Sequence, residues 1–267
     1  MLRRFIREGL ELEIWEVLER VTDPELDEPV TEMGFVERVA VADACRVEVD
    51  FRLPTYWCSP NFAFLMSIGI RREIMALPWV RAARVTLLDH CLGEKVNEAV
   101  NGGRDFAEVF AAHCDGADLS DVAGTFLAKA FDRRQEAVIL GLRAAGRDDA
   151  AIAAMTLGDL DRAGLSGAEA ARQRPRYRAL LLERGLARAP DDPAFPRWDG
   201  GAIGAAELPA HLARLRATRI NMEFNGALCR GLAAARYKEV EIGPEGPTLV
   251  DFIVGRVPPR EAAEGRS

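Results

Sequence analysis

Cys58 stands immediately before Ser59-Pro60, a pair that reads as the opening of a helix. Serine is a favoured N-cap and proline a favoured first helical residue. A thiol in that place meets unpaired amide groups and the positive end of the helix dipole, which together stabilise a thiolate. The thiolate is both the nucleophilic and the metal-ligating form, so Cys58 points to covalent or metal chemistry. A small buried cysteine behind a helix start is the plainer alternative. Tyr56 and Trp57 beside it read as shielding, not as a cofactor platform.

Two other clusters carry donor groups. Asp23 and Glu25 flank Pro24 in a polar turn and suit metal ligation, orientation of Cys58 or acid/base work. A helix-terminating turn in which Asp23 accepts backbone amides explains the same spacing. His90-Cys91 offers one nitrogen and one sulfur ligand of the kind a soft metal takes, though an ordinary strand end fits as well. His113-Cys114 repeats the dipeptide. There Phe106, Val109, Phe110 and His113 form a helical stripe, which favours a histidine at the edge of the core.

The elements that must position these residues follow from periodicity. Leu10, Ile14, Val17, Leu18 and Val21 recur at helical spacing with glutamates between them, and Pro24 stops the helix. Phe35, Val39 and Val41 mark one strand. Val47, Val49, Phe51 and Leu53 alternate with Arg46, Glu48, Asp50 and Arg52 in a second, and Asp43-Ala44 between them predicts a hairpin. A helix from Pro60 to Pro78 and a third strand over 80–88 complete a helix–strand–strand–helix–strand order. Short helices over 92–101 and 105–113 follow. The expected fold is therefore α+β, a small three-stranded mixed sheet with helices, followed by a mostly α-helical region.

That order brings the donor groups to one place. The second and third strands are joined through a helix, so in one sheet they run parallel, with a right-handed crossover. Their carboxyl ends share an edge with the start of the first strand. The loop 23–33, the loop 54–59 and the segment Asp89-His90-Cys91 are expected to converge there, as sites do at the carboxyl edges of parallel strands.

Past residue 117 the pattern predicts helices over 120–145, 148–156, 166–173 with a Ser166–Glu169 capping box, 175–186 and 207–236. The expected domains are 1–116, α+β, and 117–257, mainly helical, with a Pro/Gly-rich linker or long loop near 189–204 and a terminal hairpin around Gly243–Pro247. Residues 258–267 read as a disordered tail. Composition narrows the function classes. Residues 1–116 carry 13 Lys and Arg against 21 Asp and Glu, an acidic balance unsuited to nucleic acid. No apolar run approaches a membrane span and no signal peptide is visible. Five cysteines without CxxC pairing point to a reducing cytoplasm. No P-loop or dinucleotide glycine pattern occurs.

The stretch Asp23–Val36, followed by two strands, a cysteine before a proline-started helix and a third strand, resembles the SufT/PaaD-like iron–sulfur cluster assembly domain over about residues 10–100. The family's Asp-Pro-Glu turn falls on Asp23-Pro24-Glu25, its strand entry on Met33-Gly34-Phe35, and its cysteine loop on Pro54–Pro60, with Cys58 as the reactive cysteine. Here a serine separates that cysteine from the proline, where the family has Cys directly before Pro, and Thr55 is the loop's only threonine. The resemblance implies an accessory factor that matures iron–sulfur or other iron enzymes by carrying iron or a cluster transiently. Its partners would be cluster assembly proteins and a client iron enzyme, a di-iron oxygenase among them. Cys58, with His90, Cys91, Asp23 and Glu25 assisting, is the expected metal-handling set. An assembly or metal-delivery factor is favoured over a thiol enzyme with Cys58 as nucleophile and over a partner-binding protein. The helical extension would serve a client or a homodimer.

Overall fold

Three seven-residue strands make the sheet: β1, Val36–Ala42, β2, Arg46–Arg52, and β3, Ala82–Leu88. Their order is β1-β2-β3, with β1 antiparallel and β3 parallel to β2. The computed structural model describes residues 2–42, 45–110 and 119–236. The β1–β2 turn, His113-Cys114, the expected terminal hairpin and the expected tail lie outside them. The predicted α+β order, with a mostly helical region after it, is the fold observed.

One face of the sheet is apolar. Val47, Val49, Phe51, Val85 and Leu87 point to it and are buried against helices α1, Leu2–Leu18, and α2, Pro60–Met75. The opposite residues of β2 are charged, and Arg38 of β1 bridges Glu48 and Asp50 there. This division is what alternation with a period of two requires.

Helix α3, Gly93–Gly102, holds the free edge of β3. The Asn97 amide accepts from the Leu87 N–H and donates to the Leu87 carbonyl, and Asn101 does the same at Val85. Two asparagines one turn apart thus replace the missing neighbour strand, satisfying backbone groups that an edge otherwise leaves open. Helix α4, Phe106–Phe110, follows; its Phe106 stacks on Phe110 and meets Phe64 of α2 edge-on.

The remaining helices are α5, Leu119–Ala144; α6, Asp149–Ala153; α7, Leu157–Arg162; α8, Ala168–Glu183; and α9, Leu208–Arg236. Several bounds differ from the periodicity. Residues 148–156 do not form one helix: Asp148 caps α6, and Thr156 opens α7 through a capping box with Asp159. The two helices expected on either side of Pro175 are the single helix α8. Its buried stripe of Ala170, Gln173, Tyr177, Leu180 and Leu181 continues through the proline, and packing outweighs the one amide donor that proline removes. The Ser166 capping box is absent. Gly167 occupies the N-cap, and Glu169 accepts instead from Gln173 and Arg172.

The chain divides into two units, one of residues 1–119 with 225–267 and the other of residues 120–224. Each has its own apolar core. In the second, the Pro/Gly-rich stretch 189–204 is loop, and it is built into the core: Ala194 and Phe195 are buried, and Leu157 N–H and Ala194 N–H pair with the Asp192 and Met155 carbonyls. The Tyr177 hydroxyl donates to the Ala194 carbonyl, and Gln135 donates to Tyr177 and to the Pro196 carbonyl. His211 Nε2–H donates to the Gln135 carbonyl oxygen at 2.6 Å. Every polar member of this buried group has a partner, as a stable buried network requires.

Candidate functional site

The loop 23–33 is locked by its own backbone. Asp23 is buried, and its Oδ1 accepts from the N–H groups of Glu25, 2.8 Å, and Leu26, 3.0 Å. The Asp23 N–H and carbonyl pair with Glu28 and Asp27, closing the turn. Asp27 sits at φ +53, a left-handed conformation that aspartate tolerates better than most residues. Gly34, at φ +68, then reverses the chain so that Phe35 can bond back to Val30 and enter the sheet. Asp23 is therefore the Asx-turn residue that its spacing allowed. Burial pushes its carboxyl up to about 6, against the pull of the two amides, and the neighbouring Glu25 and Glu28 add to the rise.

Cys58 is half-buried at the mouth of α2. Its Sγ lies 3.1 Å from the Thr55 hydroxyl, which donates when the sulfur is a thiolate. Ser59 holds the N-cap position with Pro60 as first helical residue, yet its side chain makes no capping bond. The start of α2, where Cys58 stands, therefore lacks a side-chain cap from Ser59. Tyr56 and Trp57 are exposed, Trp57 by 75%. They do not shield the sulfur by packing into the core; they project beside it.

The segment Asp89-His90-Cys91 meets the Cys58 loop directly. His90 Nε2–H donates to the Cys58 carbonyl at 2.8 Å, and its Nδ1 accepts from the Leu92 N–H at 3.2 Å. The Cys91 N–H donates to the Tyr56 carbonyl at 2.8 Å. Both nitrogens of His90 are thus engaged by backbone, which defines the neutral Nε2–H tautomer. Burial lowers its pKa, the bond to Cys58 opposes that, and the Arg236 charge lowers it further. In this arrangement His90 offers no lone pair to a metal and no free nitrogen to take a thiol proton. It is a strut that fixes the Cys58 loop against the end of β3. Cys91 is exposed, with its backbone tied in and its thiol at the surface.

The second half of α9 also belongs to this unit. Asn225 donates to the Glu25 carboxylate at 3.1 Å. Arg230 pairs with Glu28 at 2.6 Å and approaches the Met33 sulfur. Arg236 donates to the Asp89 carbonyl at 3.0 Å and pairs with its carboxylate. Cys229 lies between these ties, half-buried against the same core as Cys58. Burial pushes its thiol up to about 11, and the nearby Asp23, Cys58 and Glu25 raise it further.

The structure therefore sets Asp23, Glu25 and Cys58 each near Cys229, fixes the Cys58 loop through His90, and leaves Cys91 exposed. Among the described residues no three His, Cys, Asp or Glu side chains gather closely enough to hold a metal ion. Asn225, Cys229, Arg230 and Arg236 were not among the expected site residues. Their one sequence signal is that Asn225, Cys229 and Arg236 recur at i, i+4 and i+11, on one face of a helix.

Residues 11–87, from within α1 to the end of β3, match the family model of iron-sulfur cluster assembly proteins. The matched segment holds Asp23, Glu25 and Cys58, and it indicates a role in iron–sulfur cluster assembly. His90, Cys91 and everything from α3 onward lie beyond it. No curated protein matches the chain. No helix among the described residues is long and apolar enough to cross a membrane.

Proposed function

We propose that the protein is an accessory factor for the maturation of iron–sulfur or other iron enzymes, and that Cys58 is the residue that handles the cargo. The observation that carries this reading is the setting of Cys58: a half-buried thiol just before the start of α2, with the Thr55 hydroxyl at 3.1 Å and its loop pinned by His90. Iron, a cluster or a transferable sulfur is taken by a cysteine sulfur within reach of solvent, and the Thr55 hydroxyl beside it can donate to that sulfur once a ligand or proton exchange frees it. The exposed Tyr56 and Trp57 give a partner an aromatic contact beside the sulfur. The partners would be a cluster assembly protein that loads Cys58 and a client iron enzyme that unloads it, a di-iron oxygenase being one such client. The engagement of both His90 nitrogens argues for carriage over turnover, because a cysteine nucleophile needs an adjacent base.

Anaerobic titration with ferrous iron, with and without sulfide, tests the reading on the full-length chain and on Cys58→Ala. The wild type should bind iron and raise the metal content of an apo iron–sulfur protein, and the variant should bind iron more weakly and pass none on. Equal iron binding by both, or no help to any recipient, would refute it.

A further inference from the structure

Residues 225–236 cross the ends of the strands. Asn225 is tied to Glu25 and Arg230 to Glu28, both in the loop that feeds β1, whereas Arg236 is tied to Asp89, which directly follows β3. In the sheet order the exit of β2, with the Cys58 loop, lies between those two points. The helical segment rises about 16 Å at 1.5 Å per residue, and three strands span about 10 Å. It therefore passes over the Cys58 loop. Its inward face carries Asn225, Gly226, Cys229, Ala233 and Arg236, while Leu228 and Leu232 face out. Cys229 and Cys58 are both half-buried against one core within one unit of the chain.

We infer that Cys229 is the second thiol of the Cys58 site, the two together holding a thiophilic divalent metal ion during its transit. This rests on the reading of Cys58 as the cargo-handling residue and adds to it a ligand from outside the matched family segment. Binding is ligand exchange without redox change: two thiols lose their protons to solvent and two metal–sulfur bonds replace two metal–water bonds. A pair of thiolates is too few for a resident tetrahedral site, and no third His, Cys, Asp or Glu completes one among the described residues. The open positions are what a transit site needs, since a donor and a recipient must each supply ligands in turn.

Cobalt(II) serves as the probe, because each thiolate bound to it adds to a sulfur-to-metal charge-transfer band. Full-length protein is reduced and titrated anaerobically as the wild type, Cys58→Ser, Cys229→Ser and Cys91→Ser. The wild type and Cys91→Ser should show one band of equal intensity. Cys58→Ser and Cys229→Ser should each retain about half of it, with affinity weakened by about tenfold or more. If Cys229→Ser matches the wild type while Cys58→Ser loses the band, Cys58 acts without Cys229 and only this inference falls. If Cys91→Ser loses half instead, the second thiol is Cys91 and the assignment to Cys229 is overturned. A band that ignores Cys58→Ser, or no band in the wild type, removes the reading of Cys58 and this inference with it. Phenylarsine oxide on the unsubstituted protein guards against variants that fail to fold. It bridges two neighbouring thiols with loss of water, and peptide mapping should find Cys58 joined to Cys229. A bridge mapped elsewhere, or none, overturns the assignment.

Discussion

Asp23 and His90 are fixed by backbone partners, and each has a measurable consequence. The Asp23 carboxyl titrates near 6 in the folded protein, against an ordinary value of 3.8, because burial disfavours its charge. A group whose pKa rises on folding contributes stability that is complete below its unfolded pKa and is lost as pH rises through the folded one. The window therefore runs from about pH 4 to about pH 6, and the amount is about 3 kcal/mol at most. Asp23→Asn keeps an oxygen for the Glu25 and Leu26 amides and removes the titration. Urea unfolding of both proteins at pH 4 and pH 7 should show the wild type losing stability relative to the variant as pH rises. Parallel midpoints at both pH values would mean that Asp23 is not buried as a charge. His90→Ala removes the bonds to Cys58 and Leu92, an expected cost of about 1–3 kcal/mol. It should also raise the rate at which maleimide labels Cys58, because the loop loses its strut, and an unchanged rate would place that control elsewhere.

At the scale of elements, most of the sheet was legible and its supports were not. The alternation of Val47, Val49 and Phe51 with charged residues defined β2 because only one face is buried. Pro60 identified the helix start for the same local reason that built it, whereas the Ser59 side chain makes no capping bond. Asn97 and Asn101 look like ordinary helix polar residues, and nothing nearby in sequence shows that their partners are the backbone of β3. Asn101→Leu leaves the Val85 N–H and carbonyl unpaired, with an expected cost of about 1–3 kcal/mol. Hydrogen exchange should show faster loss of protection at Val85 than at Val49 on the inner strand. The α9 ties were hidden by distance along the chain: Asn225 meets Glu25 across 200 residues. Arg230 and Arg236 make exposed or half-exposed pairs, worth about 0–1 kcal/mol each. Arg236→Ala should accordingly leave the urea midpoint almost unchanged while speeding exchange at the last turn of α9, where one loose end suffices.

The whole molecule is two cores, and the family match covers part of one. The second unit is held by a buried polar group that ties the loop 189–204 to α5, α8 and α9. Tyr177→Phe keeps the ring packing against Phe131 and Phe195 and removes the bond to the Ala194 carbonyl. It should cost about 1–3 kcal/mol, read as faster exchange at Ala194 and Met155, and unchanged exchange there would show that the hydroxyl is dispensable. Proline and glycine made this stretch readable as non-helical. They did not reveal its burial, which depends on Gln135 and Tyr177 far away in sequence.

The first unit is discontinuous, residues 120–224 being inserted between its two parts. During synthesis the sheet, α2 and Cys58 leave the ribosome well before Asn225 and Arg236 exist. Since domains fold as they emerge, the nascent chain passes through a stage in which Cys58 stands at an uncovered strand edge. Only when translation has carried the ribosome past the end of α9 can that edge close. The order of the chain thus acts as a clock, and a protein with its cover in place is one whose second unit has already been made.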